Sequence, residues 1–415
     1  MEWDRRGIEI ERDRHMSEAV IVDAVRTPIG RAFKGSLKDF RADELAAVPL
    51  KALVERNPGV DFSQTDDVMM GAASSFAEQA YNVGRNAVLI AGLDHHIPGT
   101  TVNRFCASSL QTIRMAFHAI KAGEGDQYIA AGVEAVSRAG LGAGMPDDFK
   151  HPKLDGSEGS LFDVYIPMGL TAENVAQRCK VSREAQDEWA VISQNRAVDA
   201  QQSGHFDKEI VGVTVAAHKD VDKEGNEVDV PETVVTKDDG PRPGTSMEVL
   251  AKLKPAFRED GTVTAGNSCP LNDGAAAVLI MSAERAQELG LKPKARIVAA
   301  SAAAIRPEIM GLGPLPAVEK VLGYAGMTID DVDVIELNEA FAAQVVPCKQ
   351  EWGIEDEKLN PFGGAIALGH PFGMTGARIM TALLNDLETL DKTYGLETMC
   401  VAGGMGQAMI VERLS

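Results

Sequence analysis

Unbroken apolar runs alternate with helical periodicity along most of this chain. "EAVIVDAVRTPIG" (18–30) predicts a buried strand ending in a turn. "ADELAAVPLKALVER" (42–56) predicts an amphipathic helix, "DDVMMGAA" (66–73) a strand, and "GRNAVLIAGL" (84–93) a helix. "VNRFCASSLQTIRMAFHAIKAG" (102–123) starts extended, then repeats Leu110, Ile113, Phe117 and Ile120 at helical spacing until Gly123, a plausible stop. "DQYIAAGVEAVSR" (126–138) predicts another strand. Strands alternating with helices indicate a layered α/β architecture.

The texture changes between 139 and 266. "GLGAGMPDDFKHPKLDGSEGS" is polar and glycine-rich, and the next stretch predicts two helices split at "CKVSREA", with Ser182 as a cap. "DVDKEGNEVDVPETVVTKDDGPRPGTS" predicts hairpin material with a turn at Glu224-Gly225-Asn226. The α/β texture then returns. It predicts strand then helix over 273–290, a strand over 295–304, a helix over 314–326, strand–loop–helix over 332–353 and a closing glycine hairpin over 399–414. "NDGAAAVLIMS" and "GGMGQAMIVER" echo each other, which suggests a duplicated unit whose first copy carries the insertion.

The length of 415 residues implies more than one core. The net charge of −20 argues against nucleic-acid partners and anionic membrane surfaces, but not against a small anionic ligand. Five scattered cysteines without a CxxC argue against zinc and a disulfide framework. A reducing, cytoplasmic setting fits them. No apolar run is long enough to span a membrane. The charged segment 1–16 reads as a disordered extension.

Cys106 stands where a loop becomes a helix. Unpaired N–H groups at that end favour an anion, so a thiolate there is expected to have a lowered pKa. Position alone leaves a buried structural cysteine equally open. Three further stretches bear on the choice. "NPFGGAIALGHPFGMTGARIM" fixes His370 between Gly369 and Pro371, "LNEAFAAQ" puts Asn338 and Glu339 between a strand and a helix, and "CVAGGMG" opens a glycine loop with Cys400.

Taken in order, Cys106-Ala107-Ser108, Asn338-Glu339-Ala340-Phe341, Gly369-His370-Pro371 and Cys400-Val401-Ala402-Gly403 resemble the thiolase family, from about Ser17 to the end. The resemblance implies duplicated βαβαβαββ halves in a layered αβαβα sandwich. The implied boundaries are 17–138 for the N-terminal half, with 267–290 returning to it, 139–266 for a loop domain covering CoA, and 291–415 for the C-terminal half. It implies thiolysis of a 3-ketoacyl-CoA to acetyl-CoA and an acyl-CoA two carbons shorter. Cys106 would be the nucleophile, His370 its base and Cys400 the second acid/base. His370 and a water on Asn338 would bind the enolate oxygen. The backbone N–H groups of Cys106 and Ala402 would bind the tetrahedral oxygen.

Two departures stand out. Ala402 replaces the family's usual glycine and would be strained if the loop needed a left-handed residue there. Cys269 replaces a serine that touches the pantetheine arm, and reads most simply as a small lining residue. The resemblance also implies Arg242 near the adenine nucleotide and Met168 walling the acyl pocket. Pro167 ahead of Met168 looks more like the degradative, β-oxidation branch than the acetoacetyl-specific biosynthetic one. Cys400 argues against a ketoacyl synthase, and the intact cysteines and His370 against a non-catalytic lipid-binding relative. CoA is expected as co-substrate with no tightly bound cofactor or metal, the chain as a homodimer or homotetramer. A hydratase/dehydrogenase partner subunit is compatible with the resemblance.

Overall fold

Strand Ala19–Arg26 is buried at every position, as its unbroken apolar run requires. It forms one edge of a half-sheet in the order Ala19–Arg26, Asn272–Ser282, Gln127–Ala135, Asp67–Gly71, Gly99–Val102. The last three are parallel, and Asn272–Ser282 runs antiparallel to both neighbours. The second half repeats this pattern. Ala295–Ala304, Met405–Arg413 and Tyr394–Val401 are antiparallel neighbours, and Val334–Leu337 lies parallel beyond them. The outermost strand has shrunk there to one bridge, Ile335 with Leu359. The half-sheets join where Val20 and Ile21 pair with Arg296 and Ala295. This computed structural model describes residues 17–140, 148–221 and 225–415. The extension over 1–16 and part of the turn expected at Glu224 lie outside the described residues.

The strand period of two explains the layers. On Asn272–Ser282, Ala276, Val278 and Ile280 join one cluster with Leu110, Ile113, Ile379 and Leu383. Their neighbours Ala275, Ala277, Leu279 and Met281 face the opposite way, towards Leu45, Leu50 and Leu53 of helix Ala42–Arg56. The second sheet does the same. Met409 and Val411 face inward, while Ala408 and Ile410 meet Val318 and Val321 of helix Pro314–Ala325. Helices Ser108–Ala122 and Thr375–Thr389 therefore lie between the sheets, which gives an αβαβα sandwich. A helix enclosed on every side should be buried all round. Residues 375–387 are, including Arg378 and Asp386.

Helices Met168–Cys179 and Arg183–Ser203 are separated at Lys180, which is left-handed at φ 56°. Ser182 caps the second helix by accepting from the Ala185 N–H at 3.1 Å. Both helices sit on the second half, against helix Ala342–Trp352. The return of the inserted segment is tied to the first strand by buried Arg26. Its guanidinium forks onto Asp238 at 2.9 and 3.0 Å and bonds Glu209 at 2.7 Å.

The two middle helices meet at Gly376, where a Cβ would stand 2.2 Å from the Leu110 nitrogen. An alanine in an exposed helix would stabilise relative to glycine, but here overpacking outweighs propensity. Gly376→Ala is expected to lower the unfolding free energy by about 1–3 kcal/mol in urea titration; an unchanged or raised midpoint would contradict this packing.

Candidate active site

The chain reaches Cys106 through strand Gly99–Val102 and a short turn, Phe105–Ala107, ahead of helix Ser108–Ala122. Phe105 is left-handed at φ 45°, a strained conformation for a bulky residue. The Ser108 hydroxyl holds the turn, donating to Phe105 O at 2.6 Å and accepting from the Arg104 N–H at 2.9 Å. Cys106 is only 7 % exposed. Burial pushes its thiol up to about 11, against the backbone N–H groups of Ala402 and Cys106 itself, which both favour the thiolate. The sequence expectation of a lowered pKa is therefore overturned. The two N–H groups favour the thiolate, but desolvation by burial is the larger effect.

His370 is buried, and its position is set by its flanks. Gly369 is left-handed at φ 113°, and a Cβ there would stand 2.6 Å from Asn272. Asn272 Oδ1 accepts from the His370 N–H at 3.0 Å. The Thr375 hydroxyl donates its one proton to Pro371 O at 2.8 Å, so it accepts from His370 Nδ1 at 2.6 Å. Nδ1 therefore carries the proton and Nε2 presents a lone pair. Asn338 Nδ2 lies 3.2 Å from Nε2 and donates to it. Burial, with Arg378 adding to it, pushes the imidazole down to about 3, so it is neutral at physiological pH. Asn338 Oδ1 is buried without a hydrogen-bond partner among the described residues.

Cys400 is the penultimate residue of strand Tyr394–Val401, near the tip of the last hairpin. Its thiol donates to Gln344 Oε1 at 3.3 Å, and burial pushes it up to about 12. The Cys106 thiol bears on it electrostatically, as Cys106 and Cys400 both do on Cys269. The Phe105–Ala107 turn packs against strand Tyr394–Val401, which carries Cys400, and Cys269 packs on the cluster around Cys400. The left-handed residues of this loop are Gly403 and Gly404, both at φ 78°, and not Ala402, so alanine there carries no strain. Cys269 is held by its N–H to Ala340 O at 3.0 Å. Together with Met168 it packs on the apolar cluster of Ala172, Met310, Phe341 and Cys400. Arg242 stands apart on an exposed loop, beside Arg31.

Apart from Glu339, already named with the Asn338 loop, several residues here were not singled out from sequence. Glu134 is buried and accepts from the N–H groups of Ala73, Ser74 and Gly373 at 3.0, 3.1 and 2.8 Å. It ties the segment after strand Asp67–Gly71 to the loop that follows His370. Glu339 is buried and accepts from Trp189 Nε1, Ser193 Oγ, Asn360 Nδ2 and the Ile366 N–H at 2.9, 2.6, 2.8 and 3.1 Å. Asn272, Gln344 and Thr375 complete the set. The available signal was an acid inside an otherwise apolar strand at Glu134 and a glutamine ending the Asn338 loop motif at Gln344.

Two family models match: "Thiolase, N-terminal domain" over residues 19–284 and "Thiolase, C-terminal domain" over 291–413. The chain is 48 % identical to the beta-ketoadipyl-CoA thiolase of Pseudomonas aeruginosa, covering 96 % of this chain and 99 % of that protein. It is 45 % identical to the 3-oxoadipyl-CoA/3-oxo-5,6-dehydrosuberyl-CoA thiolase of Escherichia coli, covering 96 % and 100 %. To the 3-ketoacyl-CoA thiolase of Pseudoalteromonas translucida it is 45 % identical, over 96 % and 100 %. The solved Bacillus anthracis acetyl-CoA acetyltransferase superposes with a TM-score of 0.85 at 38 % identity, covering 96 % of this chain and 99 % of that one. With both halves matched and the cysteines and histidine of the motifs gathered in the interior, the chain belongs to the thiolase family of CoA-dependent acyltransferases.

Proposed function

We propose that this chain cleaves 3-ketoacyl-CoA with CoA through an acyl-Cys106 intermediate. The observation that carries the reading is buried Cys106 in a turn packed against strand Tyr394–Val401, which carries Cys400, with two backbone N–H groups bearing on its sulfur. The resting site holds a neutral thiol and a neutral imidazole. As the Cys106 sulfur attacks the ketone carbon, His370 Nε2 takes the thiol proton. The N–H groups of Cys106 and Ala402 receive the negative charge forming on the ketone oxygen. Carbon–carbon cleavage then expels the enolate of acetyl-CoA. Protonated Nε2–H is now a donor and, with a water held by Asn338, stabilises the thioester oxygen of that enolate. Cys400 supplies the proton to its carbon. In the second half, Cys400 takes the proton of incoming CoA, whose sulfur attacks the carbonyl carbon on Cys106; the Cys106 S–C bond breaks, the shortened acyl-CoA leaves, and His370 Nε2–H returns its proton to the Cys106 sulfur.

CoA enters as co-substrate. Arg242 and neighbouring Arg31 are two cations suited to its phosphates. Met168 and Cys269, packed with Cys400, supply apolar lining for the acyl and pantetheine arms. The Pro167-Met168-Gly169 sequence supports a degradative role on fatty acyl chains. A second reading, degradation of 3-ketoadipyl-CoA, is favoured by the names of the Pseudomonas and Escherichia relatives. Among the described residues no helix is long and apolar enough to cross a membrane, and a cytoplasmic homo-oligomer is part of the proposal.

Thiolysis is expected for 3-ketoacyl-CoA substrates, followed by loss of the Mg²⁺–enolate absorbance, and Cys106→Ser is expected to lower kcat by at least about 10³-fold. Wild-type inactivity, or full activity of the variant, would refute the reading. Asn338→Ala is expected to cost about 10²–10³ in kcat, with little change in unfolding midpoint; a change confined to KM would remove Asn338 from the chemistry.

The raised Cys106 pKa sets a pH dependence. With a thiol near 11, the thiolate fraction grows about tenfold per pH unit below that value. Iodoacetamide labelling of Cys106, read by peptide mass spectrometry, should therefore climb steeply from pH 7 to 10 without levelling. A plateau by pH 8 would mean a pre-formed thiolate.

A further inference from the structure

A cavity of about 370 Å³ opens beside Gly403, the residue after Ala402. Its wall is apolar, from Phe162, Val164, Ile305 and Pro307, and among the described residues Arg306 is its single charged lining residue. The three segments that line it each run on into the reaction pocket. Residues 162–164 lead to Met168, 304–307 to Met310, and 403 follows directly from the Cys400 loop, and those three side chains meet in one cluster. The cavity thus borders the apolar cluster that holds Cys400, and on the thiolysis reading it is the outlet for the far end of an acyl chain.

Arg306 is held for a task at that place. Its guanidinium lies over the Phe162 ring at 5.1 Å from the centroid. Nη2 bonds Glu308 Oε1 at 3.2 Å, and that oxygen also accepts from the Asp163 N–H at 3.2 Å. Glu308 takes one of five guanidinium donors and leaves the fork able to receive a second carboxylate. A terminal carboxylate entering an otherwise apolar chamber would find one cation. It would also meet the Glu308 charge, which weakens the grip without filling the fork.

We propose that Arg306 selects acyl chains ending in a carboxylate, with Glu308 setting the strength of that selection. This rests on the thiolysis reading and names the substrate class of the same site. The aromatic ring and the Glu308 bond pre-orient a long, flexible side chain, which lowers the ordering cost of binding.

The test compares kcat/KM for 3-ketoadipyl-CoA with that for 3-ketohexanoyl-CoA, which has the same chain length without the terminal charge. For the full chain, Arg306→Gln should lower the ratio by about tenfold or more, the worth of a hydrogen bond to a charged group. Glu308→Gln should raise it, because the repelling carboxylate is gone while Arg306 remains. Opposite shifts in the two variants carry the proposal, and should Arg306→Gln fail to fold, a raised ratio in Glu308→Gln carries it alone. A ratio unchanged in both, or moved the wrong way by Glu308→Gln, overturns it. Absence of turnover of either substrate by the wild type is a different result: it removes the thiolysis reading, and this assignment falls with it.

Discussion

The buried Glu339 carboxylate is the interaction on which the site's assembly depends. Four donors converge on it from helix Arg183–Ser203 and the 360–366 loop. A carboxylate taken out of water is costly unless its lone pairs are met. Here they are met by groups distant in sequence, so the insertion, the Asn338 loop and the loop leading to His370 must come together for the carboxylate to be satisfied. Asn338 is the adjacent residue and inherits that position. Glu134 does the same work from the first half, gathering Ala73, Ser74 and Gly373 beside the cysteine turn. Each half of the duplicated fold thus contributes one buried acid to frame a site between them.

Burial then decides the electrostatics. The same desolvation raises the cysteines and depresses the histidine. Free charge is disfavoured on either partner, so the resting pair is neutral, and charge is to develop only where backbone N–H groups wait for it. Thr375 matters for this reason. By holding the proton on Nδ1 it leaves Nε2 with the lone pair that the proposed mechanism uses.

Much of this was legible in the sequence where local chemistry dominates. The helix over 42–56, the strand over 295–304 and the Ser182 cap follow from period and capping, which neighbouring residues decide. The motif loops were legible because glycine and proline bracket His370 and because four short stretches stand in family order. What failed was long-range. The Cys106 shift has the opposite sign because desolvation in the folded interior, with a small contribution from the Glu134 charge, outweighs the N–H groups of Ala402 and Cys106 that favour the thiolate. The Glu134 acid reads locally as an interruption of an apolar strand, and only the fold supplies its donors. The concern over Ala402 dissolved because the left-handed turn begins one residue later, a register that composition does not reveal.

The central claim is that a thiol neutral at rest becomes the acyl carrier. The direct measurement is peptide mass spectrometry after mixing the protein with 3-ketohexanoyl-CoA in the absence of free CoA, quenched in acid. The account predicts an acyl group two carbons shorter than the substrate, attached to the peptide containing Cys106. Its appearance on the Cys400 or Cys269 peptide instead, or on none, would contradict the account.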